Sequence, residues 1–165
     1  MNIVEINAHI FGSGSSVMLG ICDGLRKEGH RVLICYPASK TNLRKIVKES
    51  YLMRTRIERK IGKVMSKWFG LDEIMFRLPT WRLIRRMERF GVELVHLHCL
   101  HDWYINIPML FSYLRKKKIP VVWTLHDCWT LTGGCTNFIL SNCERWKSDC
   151  RECPQMIRKV RRKVQ

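Results

Sequence analysis

Residues 119–154 read IPVVWTLHDCWTLTGGCTNFILSNCERWKSDCRECP, and the fold is decided there. The stretch opens with an apolar run, residues 120–125, short enough and rich enough in β-branched and aromatic side chains to predict a buried strand. That strand ends on the pair His126-Asp127. A loop follows, residues 128–153, holding five of the eight cysteines and the Gly133-Gly134 pair. A strand that hands a His-Asp pair to a cysteine-rich loop is the pattern of a site rather than of packing.

Upstream, the same kind of strand recurs. Residues 3–6, 31–36 (RVLICY) and 93–98 (ELVHLH) are apolar runs bounded by glycines, prolines or polar turns. Helical patterns separate them. One follows Phe11, with Ser15 or Ser16 as expected N-cap and Val17, Leu19, Ile21 and Leu25 as its apolar side. Another covers 79–90, with Trp81, Leu83, Ile84 and Met87 inward and Arg82, Arg85, Arg86 and Arg89 outward. A third covers 106–118 and closes on Arg115 and three lysines, favourable charge for a helix C-terminus. Alternating strands and helices predict an α/β, Rossmann-like three-layer domain with a mostly parallel sheet.

Two further clusters sit where such sheets bind ligands, at the C-terminal ends of strands. After the first strand, Gly12, Ser13, Gly14 and Ser15 form a glycine turn into a helix whose free N–H groups suit an anion. The turn lacks the Gly-Lys-Ser/Thr of a phosphate loop and the full GxGxxG spacing, so a plain connection fits equally well. After the strand 93–98, His96, His98 and His101 crowd six positions beside Asp102. His96 and His98 share a face because strand side chains alternate.

The chain carries 30 Lys and Arg against 14 Asp and Glu, a formal charge of +16, which draws it to polyanions of any kind. No run approaches a membrane span, and the start lacks the pattern of a secretory signal, so the cytoplasm is the expected compartment. There, eight cysteines are thiols or metal ligands before they are disulfides. Residues 52–69 form a basic, amphipathic pattern ending in Trp68-Phe69. A helix packed on the sheet is the plain reading; a helix lying on an anionic membrane surface is the sharper one.

The motif VVWTLHDCW-x-x-TG-x-C, closed by C-x6-C-x2-CPQ, resembles the N-terminal half of bacterial family 4 retaining glycosyltransferases of the GT-B type. The resemblance covers most of the chain and is strongest over 93–155. It implies an acceptor-side domain over residues 1–155 and the start of a linker over 156–165. A nucleotide-sugar domain with a Glu-x7-Glu motif is absent from these residues, so the reading is of an N-terminal fragment, inactive alone. The resemblance also implies that His126 touches the donor sugar, with Asp127 orienting it or capping the next turn. His98 and His101 would line the cleft on the acceptor side. The donor would be a nucleotide sugar, the acceptor a polysaccharide or lipid-linked glycan, and no catalytic metal would be needed. Peripheral attachment to the inner face of the plasma membrane, through Trp68 and Phe69, would suit such an acceptor.

Cys135, Cys143, Cys150 and Cys153 are spaced to hold a structural zinc as four thiolates, although only one CxxC knuckle is present. Packed free thiols and a conditional disulfide are the alternatives. The charge and the cysteines together also admit a zinc-containing nucleic-acid-binding protein, disfavoured because the basic residues are spread over several helices without a binding motif. A membrane-surface adaptor built on 52–69 is the remaining rival.

Overall fold

The computed structural model describes residues 1–44, 47–53, 76–102, 104–132, 135–139 and 142–148. The pattern at 52–69, with Trp68 and Phe69, lies outside the described residues apart from its first two positions. Cys150, Cys153, the Gly133-Gly134 pair and the 156–165 tail lie outside them altogether. The chain forms two compact units, Met1–Thr124 and Leu125–Gln165.

The first unit is a five-stranded parallel sheet in the order β3-β2-β1-β4-β5. Its strands are β1 (Asn2–Ile6), β2 (Arg31–Tyr36), β3 (Ser50–Leu52), β4 (Leu94–Leu97) and β5 (Val121–Trp123). Glu5 stands beside His96 in the β1–β4 register, and Val4 and Ile6 stand beside Val95 and Leu97. Successive residues face opposite layers. Val4, Ile6, Val95 and Leu97 meet Leu83, Met87, Leu110 and Leu114 from the helices α2 (Arg77–Phe90) and α3 (Ile107–Lys117). On the other side, Val32, Ile34 and Tyr36 pack on Met18 and Cys22 of α1 (Ser13–Lys27). This is the three-layer arrangement read from the alternation of elements.

Several local expectations are corrected. Helix α1 starts at Ser13, capped by Gly12 at φ 103°, and not at Ser15 or Ser16. The two serines lie in its first turn, where their hydroxyls donate to the carbonyls of Phe11 and Gly12. With this start, the buried stripe is Ser15, Met18 and Cys22, and Val17 is exposed. In α2, Leu83, Ile84 and Met87 are buried as expected, but Trp81 is 51% exposed because the inner face is completed by Pro79 and Thr80. Leu52 ends strand β3, and Met53 after it is 1% exposed in the core, so neither begins a helix. The strand 120–125 is regular only over Val121–Trp123, an edge strand among the described residues, and Val121 and Val122 are exposed rather than buried.

The six described cysteines are thiols. Burial pushes Cys22 up to about 12 and Cys35 higher still, so both are packing groups and not nucleophiles.

Candidate functional site

Strand order reverses direction between β1 and β4, since β2 and β3 lie to one side of β1 and β5 lies beyond β4. In open α/β sheets the loops after the two strands at such a switch point part to leave the binding crevice. Here those are the loop 7–12, leading into α1, and the loop 98–106, leading into α3.

Beneath the loops lies a buried polar cluster. Glu5 is 0% exposed, and its carboxylate accepts hydrogen bonds from His98 Nε2 at 2.8 Å and His96 Nδ1 at 3.1 Å. The far nitrogen of His96 meets the Thr124 hydroxyl at 2.8 Å, and the two imidazoles lie 4.2 Å apart. Burial works to raise the Glu5 carboxyl, but the hydrogen bonds and charges of His96 and His98 outweigh it and hold the group below its ordinary value. A carboxylate in the middle of a sheet is tolerated because its lone pairs are occupied by two fixed donors. Glu5, His96 and His98 also bring their ligand atoms within 4.8 Å of one another, a donor set that a divalent cation accepts. Direct hydrogen bonding already satisfies it.

Above this cluster the backbone is tied down. Ala8 donates its N–H to the Cys99 carbonyl at 3.1 Å, joining the two loops. The Trp123 indole donates to the His98 carbonyl and the Tyr104 hydroxyl to the Cys99 carbonyl. Asn42, 1% exposed, accepts from Ile10 N–H and donates to the carbonyls of Ala8 and Pro37, fixing the loop 7–12 from behind. At the rim, His9 and Asp102 face each other at 3.8 Å across the switch point. Asp102 holds φ at 99°, a region that side-chain-bearing residues rarely adopt and that concentrates at binding sites. Gly12 makes no side-chain cap, so the first N–H groups of α1, from Ser13, Gly14 and Ser15, have no partner within the helix.

The residues expected from the sequence therefore divide. Gly12, His98 and His101 belong to the two loops or strand ends at one edge of the first unit, and Ser13, Gly14 and Ser15 to the first turn of α1 that follows Gly12. Of these, the His98 side chain is fully covered and held by Glu5, while His101 is half-buried. His126 and Asp127 belong to the second unit. There, Asp127 Oδ1 accepts from Trp129 N–H at 2.9 Å, the turn-capping role that was one of the two expected for it. That bond opens a short helix, α4 (Trp129–Thr132). The Thr132 hydroxyl then bridges the carbonyl and N–H of Cys135, and Phe138 stacks on Trp146 at 4.7 Å. Cys135 and Cys143 are both half-buried in this unit.

Sequence reasoning missed Glu5, His9 and Asn42. Glu5 carried a signal, since a carboxylate inside an apolar strand must be paired or it would not be there. His9 and Asn42 carried none.

Residues 14–157 match glycosyltransferase family 4. The chain belongs to this family. It is also similar to WcaC of Escherichia coli (strain K12), whose name assigns it glycosyl transfer in colanic acid biosynthesis. The two are 26% identical over 166 residues, which covers 94% of this chain and 40% of the relative. The chain thus spans about two fifths of the length of the curated relative it matches. No solved structure matches it significantly. Among the described residues of this family 4 chain, no helix is long and apolar enough to cross a membrane.

Proposed function

We propose that this chain is the acceptor-binding part of a retaining, GT-B-type glycosyltransferase that moves a sugar from a nucleotide-sugar donor to a polysaccharide or lipid-linked glycan. The observation that carries the reading is the set of polar groups at the switch point, led by the His9–Asp102 pair. Sugar hydroxyls are bound by fixed carboxylates, imidazoles and backbone groups, and this rim offers all three on a braced scaffold. Glu5 serves from below, fixing the ring orientation of both His96 and His98. His126 would approach the donor sugar and steady charge on the departing phosphate. The remaining length of a protein like the curated relative would bind the nucleotide. With a lipid-linked acceptor, the work would be done at the cytoplasmic face of a membrane. A zinc held by Cys135, Cys143, Cys150 and Cys153 would brace the second unit without taking part in transfer.

The test is a titration of the isotope-labelled 165-residue chain, followed residue by residue by NMR. Neutral oligosaccharides are expected to shift the amides of Asn7, Ala8, His101 and Asp102, with His9→Ala and Asp102→Asn weakening the response. If nucleotide sugars bind there and oligosaccharides do not, the acceptor assignment is wrong. Metal analysis of the purified chain decides the zinc; one ion per chain is expected, lost in Cys143→Ser.

A further inference from the structure

Part of the chain's positive charge, spread along its sequence, is gathered onto one face by its fold. Helices α2 and α3 pack side by side on one face of the sheet, joined at their outer surface by Glu88 and Lys117 at 4.0 Å. From Arg77 to the α2 cap and from Asn106 to the α3 cap, the sequence holds nine of the thirty Arg and Lys and one carboxylate, a surplus of eight. All nine cations are exposed: Arg77, Arg82, Arg85, Arg86 and Arg89 on α2, and Arg115 with the three lysines that follow it on α3. The single acid, Glu88, already faces two of them, Arg85 at 3.8 Å and Lys117.

Along α2 the outward ridge is Leu78, Trp81, Arg82, Arg85 and Arg89, at spacings of three and four. Leu78 is 53% and Trp81 51% exposed, and the Arg85 guanidinium lies over the Trp81 ring at 6.0 Å. A solvated basic face has no use for an exposed leucine and tryptophan at one end. A headgroup layer does: the indole and the leucine enter the acyl boundary while the guanidinium groups meet lipid phosphates.

We propose that the α2–α3 face docks this chain onto an anionic lipid bilayer, with Leu78 and Trp81 as apolar anchors and the surrounding Arg and Lys as the electrostatic contact. The charge surplus on this face is complementary to such a surface, and the apolar pair selects it over a nucleic acid, whose phosphates offer nothing to a leucine. The inference extends the proposed function by naming the surface. Its test reads membrane binding alone, so its failure leaves acceptor binding to be judged by the titration above.

The experiment is cosedimentation of the 165-residue chain with vesicles of equal parts phosphatidylcholine and phosphatidylglycerol, and with phosphatidylcholine alone. Binding is expected only to the anionic vesicles and to weaken with salt. Leu78→Ala with Trp81→Ala is expected to lower affinity about tenfold. Arg82→Ser, Arg85→Ser and Arg89→Ser together are expected to lower it on the order of a hundredfold. The control removes Lys27, Lys40 and Arg44, exposed cations outside the two helices, and is expected to bind nearly as the parent does. Equal losses in the control and the α2 variant would overturn the proposal in favour of undirected charge attraction. So would vesicle binding that ignores Leu78 and Trp81, or tight binding of a single-stranded oligonucleotide that displaces the vesicles. Thermal melts check folding; should the arginine variant melt early, the Leu78/Trp81 variant decides.

Discussion

Glu5 concentrates the residue-scale physics of this chain. Its carboxyl sits below its ordinary value of 4.5 in the folded state because His96 and His98 donate to it. The stability this contributes is fully present above the unfolded value and is lost as pH falls through the folded one. Glu5→Gln keeps the shape but loses the charge, and is expected to cost about 2 kcal/mol at neutral pH, read by urea unfolding. Below pH 4.5 the parent is expected to lose stability more steeply than the variant. Parallel acid limbs in the two proteins would mean that Glu5 is not the group responsible. Asp102 offers a different test. At φ 99° a glycine is unstrained, and a partly exposed pair with His9 is worth less than the strain removed. Asp102→Gly is therefore expected to gain up to about 1 kcal/mol while losing saccharide binding. Loss of both would assign Asp102 a structural role. Neither residue's environment was legible beforehand, because Glu5 meets its partners 91 and 93 positions away.

Helix boundaries show what a local pattern settles and what it leaves open. Asn106 caps α3 by accepting from Met109 N–H at 2.8 Å, as a helix beginning there requires. Asn106→Ala should cost about 1 kcal/mol in chemical denaturation. Two serines near the start of α1 looked equally good as caps, yet Gly12 takes that place because its positive φ lets the chain turn earlier. A methyl group on Gly12 would meet nothing within 4 Å, so the expected destabilisation of Gly12→Ala, about 1 kcal/mol, is purely conformational. An unchanged midpoint would refute that account. Periodicity misassigned Trp81 for a related reason. It ranks side chains by polarity, and the inner side of α2 is instead completed by Pro79 and Thr80, the latter accepting from Asn106 N–H at 2.7 Å.

At the scale of the whole molecule, +16 on 165 residues makes self-repulsion a standing cost of the compact state. Raising ionic strength from a few millimolar to physiological salt is expected to raise the melting temperature, since screening relieves it. A melting temperature that falls with salt would show that attractive pairs, and not repulsion, dominate. Sequence reading judged the basic residues dispersed over several helices, which is true along the chain. Packing of α2 beside α3 is what brings nine of them onto one surface.

The amino-acid sequence by itself determined four of the five strands, the helices α1, α2 and α3, their parallel alternation and the family likeness, because those depend on periodicities and motifs spanning a few residues; β3, at Ser50–Leu52, it did not show. It also pointed to the strand ends where polar groups collect. Only the tertiary structure decided which of those groups meet. Strand order set Glu5 beside His96 and the loop of His9 beside that of Asp102, and it put two basic helices on one face. Those pairings join positions far apart in the chain, and no local spacing encodes them.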